Sequence, residues 1–216
     1  MPDRKGIRVI LYICPMPKVT KHTAPFDLYA RGLRVDKGDG KKPRLNRSKP
    51  ADEKDTVWCP KGETYYTWEF RFGGSHRSRT YPKQSQLTQS NYLSQVYSLQ
   101  EEAEDEVCPD NCEELQSLID DWVGTLEGIR DECQDSFDSM PEGLQQGDTG
   151  QLLEARVNAC DEAISNLQGV DTSYDGEGED SEEGSEEMQE YEEGLKEFLD
   201  EAFEEARTCI SDMEVE

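Results

Sequence analysis

Histidine is nearly missing from this 216-residue chain, which has only His22 and His76, and apolar residues make up only 33% of it at a mean hydropathy of −0.91. So little apolar material does not fill one large core, and small independent units are expected instead. No stretch approaches the roughly 20 apolar residues that a membrane-spanning helix requires. The opening run Ile7 to Cys14 is short, is broken by Arg8 and carries no small-residue cleavage site, so it does not read as a secretory signal. There is no GxSxG, no glycine-rich phosphate loop, no HExxH and no Cys/His nucleophile pair on a recognisable scaffold, so the chain reads as a non-enzyme. No CxxC occurs either. The seven cysteines at positions 14, 59, 108, 112, 133, 160 and 209 are odd in number and scattered, which suits reduced thiols in a cytoplasm.

Positive charge is scarce in one half only. Residues 1–99 hold 19 Lys/Arg against 9 Asp/Glu, whereas residues 100–216 hold 4 against 40, so the overall net of −26 conceals opposite halves. A basic segment with interleaved aromatics suits a polyanion, and an acidic one repels it. The halves are therefore expected to meet different partners or to mask each other.

The pattern along the chain predicts an α+β protein: a small basic β-hairpin or sheet module, then an acidic antiparallel, coiled-coil-like helical hairpin and a C-terminal helix. Residues 7–14 suggest a short strand, and the proline- and glycine-rich stretch 15–57 suggests loop. Thr64 to Phe72 is rich in β-formers, and Gly73-Gly74 with Ser75 to Tyr81 completes a hairpin, with Tyr66, Trp68, Phe70 and in part Phe72 on the packed face. From Leu87 the period becomes helical. Thr88 or Ser90 can cap a helix running to about Glu106, and Leu115, Ile119, Trp122, Leu126, Ile129, Cys133, Phe137 and Met140 form a long apolar stripe. After a break at 141–150 a second stripe follows, Leu153, Val157, Cys160, Ile164 and Leu167. One antiparallel alignment pairs Met140 with Leu153, Cys133 with Cys160 and Leu126 with Leu167. The predicted organisation is a β module over 1–86, a helical hairpin region over 87–169, a flexible acidic linker over 170–187 and an acidic C-terminal helix over 188–216.

The strongest constellation for chemistry is basic. Arg71, Arg77, Arg79 and Lys83 are the candidate phosphate contacts, and Tyr66 or Trp68 the candidate ring that stacks on a base or packs. His76, Tyr65 and Tyr81 are interleaved, and Lys37, Lys41, Lys42, Arg44, Arg47 and Lys49 precede them. The ordinary reading is a tiny sheet whose aromatics are core and whose cations keep it in solution. Another is that the basic half binds the chain's own acidic half. Cys14, His22, Cys59 and His76 form a zinc-compatible set by residue type, but their spacing fits no ribbon or finger, and otherwise no cofactor is expected. Cys108-Pro-Asp-Asn-Cys112 is ringed by carboxylates, which raise rather than lower thiol pKa. The segment Asp171 to Asp180 lacks the ligand order of a calcium loop. Forty acidic residues in the second half exceed what solubility requires, so a basic protein partner or self-association is expected there, and no membrane.

The run Lys61-Gly-Glu-Thr-Tyr-Tyr-Thr-Trp-Glu-Phe-Arg-Phe-Gly-Gly74, continuing through Arg79-Thr-Tyr-Pro82 and Ser85-Gln-Leu-Thr-Gln-Ser90, resembles a family of tailed-phage and prophage proteins. These share a YYxWxFRFGG hairpin and a Ser-Gln-Leu-Thr-Gln-Ser helix start, and Met140 to Gly150 is similar to the same proteins. Thr67 departs from the pattern, where an aromatic is expected, and residues 1–58 diverge. The resemblance implies a phage origin, hence the host cytoplasm, and carries no activity or site residues with it. Residues and resemblance together predict a phage accessory protein that binds nucleic acid through the hairpin and a protein, or itself, through the acidic helices. The alternatives are an acidic DNA mimic that inhibits a host DNA-binding or defence protein, and a structural or assembly factor.

Overall fold

A computed structural model of the chain describes residues 16–29, 56–176 and 185–213, which fall into two compact units meeting in sequence between Gln89 and Ser90. The fold is α+β, with every described strand in the first unit and every described α-helix in the second.

The first unit contains β1 (Thr20–Thr23), β2 (Leu28–Tyr29), β3 (Val57–Cys59), β4 (Thr64–Phe70) and β5 (Gly74–Ser78). β1, β4 and β5 form an antiparallel sheet with β4 central, and β2 pairs with β3. Thr64 to Phe70 takes the centre because its β-branched and aromatic side chains suit a pleated surface on both faces. Ala24, Cys59, Trp68 and Leu87 form the buried hydrophobic set among the described residues of this unit. Two strands, β1 and β2, thus lie in the proline-rich stretch expected to be loop. Both are short, and pairing with β4 and β3 supplies the hydrogen bonds that their own sequence does not announce. The strand expected over residues 7–14 lies outside the described residues.

The hairpin differs from expectation at its turn. Phe70 pairs with Gly74, so the connection is Arg71-Phe72-Gly73, and of the glycine pair only Gly74 adopts positive φ, at 79°. Phe72 therefore leaves the packed face and stands in the turn, 86% exposed. The return strand ends at Ser78 rather than Tyr81, because the Ser78 hydroxyl accepts the Thr80 backbone N–H at 3.2 Å and bends the chain.

The second unit comprises α1 (Asn91–Asp105), α2 (Cys112–Asp138), the single turn α3 (Glu142–Gln145), α4 (Asp148–Gln168) and α5 (Glu186–Ser211). Three of these starts are capped by side chains: Ser90 accepts from the Leu93 N–H at 3.4 Å, Asn111 from Glu114 at 2.8 Å and Ser185 from Met188 at 3.1 Å. Acidic residues in the first turn, Glu113 and Glu114 in α2 and Glu186 and Glu187 in α5, favour the positive end of the helix dipole. α2 packs on α4 along the predicted stripes, and Leu115, Ile119, Trp122, Leu126, Ile129 and Cys133 share one core with Leu153, Cys160, Ile164 and Leu167. Val157, placed in the second stripe, is only partly buried, and Ala163 takes a core position. α1 adds Tyr92, Val96, Leu99 and Ala103 to that core, and α5 adds Leu199, Ala202, Phe203, Ala206 and Ile210. Phe203 stacks on Trp122 with centroids 6.3 Å apart. The C-terminal helix, set apart in the sequence by an acidic stretch, is thus the fourth long helix of one bundle.

Two connections are more ordered than their composition suggests. The break after α2 folds into α3, and α4 starts so close to it that a Cβ on Gly150 would overlap the Gln145 carbonyl. The first part of the expected linker is anchored: Val170 is buried, the Thr172 hydroxyl donates to Gln116 Oε1 at 2.5 Å, and Tyr174 packs against Tyr191 and Phe198. One valine and one aromatic ring suffice to dock a segment otherwise made of Asp, Ser, Thr and Gly. Residues 177–184 of that linker lie outside the described residues.

Candidate nucleic-acid interface

Alternation along β4 assigns its side chains to two faces. Tyr66, Trp68 and Phe70 share one face with His76 of β5; Tyr65 and Thr67 share the other with His22 of β1 and Arg77 of β5. On the first face His76 stacks on Trp68 at 5.6 Å and meets Phe70 edge-on at 5.3 Å, while Tyr81 meets Tyr66 edge-on at 5.4 Å. On the second, His22 stacks on Tyr65 at 5.0 Å and Trp58 meets Tyr65 edge-on at 5.8 Å.

The candidate cations are spread along this unit rather than gathered on one face. Arg77 lies over Trp58, 4.3 Å from the ring centroid, and donates to the Tyr29 carbonyl at 3.3 Å. Burial lowers its pKa from the ordinary guanidinium value. Arg79 forms an ion pair with Glu63 at 2.7 Å in which both side chains remain about half exposed. Arg71 stands in the turn with its guanidinium 5.2 Å from the Phe72 centroid. Lys83 is exposed just before a 3-10 turn over Gln84–Leu87, where its backbone N–H donates to the Gln86 side chain.

The candidate rings behave differently from one another. Trp68 is only 5% exposed and is covered by His76, so it serves the core rather than an incoming base. Tyr66 is half-buried beside Tyr81. Among the described Phe, Tyr and Trp rings, those that stand in solvent are Phe72, at 86%, and Tyr81, at 63%. Strand alternation places Phe72 in part on the packed face, and only the turn geometry reveals its exposure. Trp58, the platform under Arg77, belongs to the three-residue strand β3, and nothing in its local sequence signals that role.

The two zinc-compatible histidines do not converge. Their register puts His22 and His76 on opposite faces of one sheet, so a single ion does not reach both imidazoles. His22 Nε2 lies 2.8 Å from the Thr67 hydroxyl, and His76 Nε2 donates to the Gly73 carbonyl at 3.2 Å. Cys59 is fully buried, and Cys14 lies outside the described residues. Among the described residues no group of three or more His, Cys, Asp or Glu is arranged to hold a metal.

In the helical unit the arginines of the described helices point back into the structure. Arg130 of α2 contacts Asp131 at 2.8 Å and Asp161 of α4 at 3.4 Å. Arg156 of α4 lies over the Tyr92 ring of α1 at 4.5 Å, and Arg207 of α5 reaches the Glu104 carbonyl of α1 at 3.2 Å while contacting Glu204. Each fastens one helix to another, so that among the described helices the exposed charge is carboxylate apart from Lys196 of α5. Cys160 and Cys108 are held in their neutral form. Burial pushes Cys160 up to about 11, with Cys133 beside it contributing, and burial with the Asp200 carboxylate pushes Cys108 up to about 11. Thiols held protonated at neutral pH are poor nucleophiles.

No protein-family model, curated protein or solved structure matches the chain. Among the described residues no helix is long and apolar enough to cross a membrane.

Proposed function

We propose that the chain is a non-enzymatic, phage-type accessory protein with two binding surfaces of opposite sign: a β unit that takes a polyanion and a helical bundle that takes a basic protein. The observation that supports this most is the disposition of the cations. In the bundle Arg130, Arg156 and Arg207 are used to join helices, whereas in the β unit Arg71, Arg79 and Lys83 remain at the surface. A polyanion is attracted to the second arrangement and repelled by the first. The test is binding of a labelled oligonucleotide by the full chain at 50 and 200 mM salt, with replacement of Arg71 and Arg79 by Glu. Affinity falls roughly tenfold or more across that salt range, as displacement of a few counterions requires, and the double variant does not bind. Salt-insensitive binding, or none, defeats the proposal for this unit.

The bundle alone favours a second reading, an acidic mimic of DNA that captures a host DNA-binding or defence protein, because its carboxylates are carried on packed helices rather than on a loose tail. Replacing Glu113, Glu114, Asp120 and Asp121 by their amides removes four charges from one exposed stretch of α2. Wild type then captures one basic protein stoichiometrically from nuclease-treated host lysate and the amide variant does not; equal capture by both refutes the mimic.

A further inference from the structure

We infer that the β unit takes single-stranded rather than duplex nucleic acid, laid along β5 with Phe72 and Tyr81 as its two base-stacking rings. This rests on the polyanion reading above and adds to it the form of the ligand and the residues that select it. Phosphates alone do not distinguish single strands from duplexes, since both present them. Exposed aromatic rings do, because only an unpaired base offers its face to a side chain. Among the described residues the Phe, Tyr and Trp rings in solvent are Phe72 and Tyr81, 86% and 63% exposed, and they stand just beyond the two ends of β5. Trp68 is excluded because His76 already occupies its face at 5.6 Å.

Each exposed ring has a cation beside it. Arg71 sits 5.2 Å from the Phe72 centroid, within reach of a phosphate attached to a base stacked there. Arg79 is two residues from Tyr81, and its partner Glu63 is 46% exposed. An ion pair this open to water contributes little, so a phosphate displaces the carboxylate readily. The Gln89 amide is packed on the Cα of Gly73, which braces the turn that presents Phe72. β5 spans about 17 Å at the usual rise per residue. That length suits a site of roughly 4 nucleotides, the short end of what single-strand modules cover.

The experiment compares binding of a 15-nucleotide oligothymidine and of a 15-base-pair duplex to the full-length protein by fluorescence anisotropy at fixed salt. The single strand binds at least tenfold more tightly, and the Phe72→Ala/Tyr81→Ala variant loses that preference with a loss of at least tenfold in single-strand affinity. Both side chains are exposed, so the variant should stay folded, with only a small drop in melting temperature from the lost Tyr66–Tyr81 edge contact. A Phe72→Trp variant gives a second readout: it retains binding, and the emission of the introduced indole is quenched on addition of oligothymidine. Equal affinity for the two ligands, unchanged binding by the double alanine variant, or unquenched emission from the Phe72→Trp variant with strand bound overturns the inference while leaving polyanion binding intact. Polyglutamate competing as well as oligothymidine also overturns it, since carboxylates without bases would then suffice. Binding of neither nucleic acid defeats the polyanion reading itself.

Discussion

The two units solve the same problem, a shortage of apolar residues, in opposite ways. Among its described residues the helical unit concentrates most leucines, the isoleucines and Trp122 into one continuous core and uses Arg130, Arg156 and Arg207 as clips between helices. The β unit has a much smaller buried set, Ala24, Cys59, Trp68 and Leu87, and Trp58, Tyr65, Tyr66, Phe70 and Tyr81 contact one another or a histidine or arginine beside them. A bundle with a full core tolerates an exterior of almost pure carboxylate. A sheet with a thin core keeps cations and rings close together, which is also what a nucleic-acid surface needs.

The sharpest way to break this comparison is to remove one tryptophan from each unit. Trp122→Ala should destabilise the bundle by about 3–5 kcal/mol and abolish its cooperative helical transition, and Trp68→Ala should do the same to the sheet. If the units are self-contained, the first substitution spares oligonucleotide binding and the second spares the helical circular dichroism signal. Loss of both properties in either variant would merge the two units into one.

A second, smaller effect belongs to the bundle alone. Because burial raises the Cys160 pKa to about 11, its thiol stabilises the fold fully below the unfolded value near 9, and that stabilisation is lost as pH rises toward 11. A rise of that size corresponds to about 2–3 kcal/mol. Urea midpoints at pH 7, 9 and 11 should fall along that series and fall less in a Cys160→Ala variant; parallel pH dependence in the two proteins would remove the thiol from the account.

Gly150 and Gly143 offer a matched pair in the connection between α2 and α4. A methyl group at Gly150 meets the Gln145 backbone and should cost about 1–3 kcal/mol, whereas Gly143 has open space and should tolerate alanine within about 0.5 kcal/mol. Thermal melts of the two variants decide it. A further small loss is expected at the α2 cap, where Asn111→Ala should cost about 1 kcal/mol by removing the acceptor for the Glu114 N–H.

Helical parts were the most legible from sequence, since a long 3.6-residue period and side-chain caps leave few alternatives. The stripe from Leu115 to Cys133 and the shared core of Cys133 and Cys160 follow from spacing, and Ser90 is one of the two residues, with Thr88, that the sequence offers as a cap. Legibility failed where distant pairing decides. His22 meets Tyr65, and Arg77 meets Trp58, through strands too short to carry a pattern of their own. It also failed where a single residue outweighs composition, as Tyr174 does in anchoring an acidic segment and as Gly74 does in placing Phe72 in the turn. The basic region was visible as a candidate site, but which of its rings face solvent depended on His76, whose partner Trp68 is set by register.

The claim on which all of this depends is that the acidic half is a self-sufficient folded body whose charge faces outward. Residues 90–213, produced alone and followed by circular dichroism during a urea titration, test it most directly. The account predicts a strongly helical protein that unfolds in one cooperative transition at the midpoint the bundle shows in the full chain. A coil that becomes helical only when residues 1–89 are supplied would contradict it.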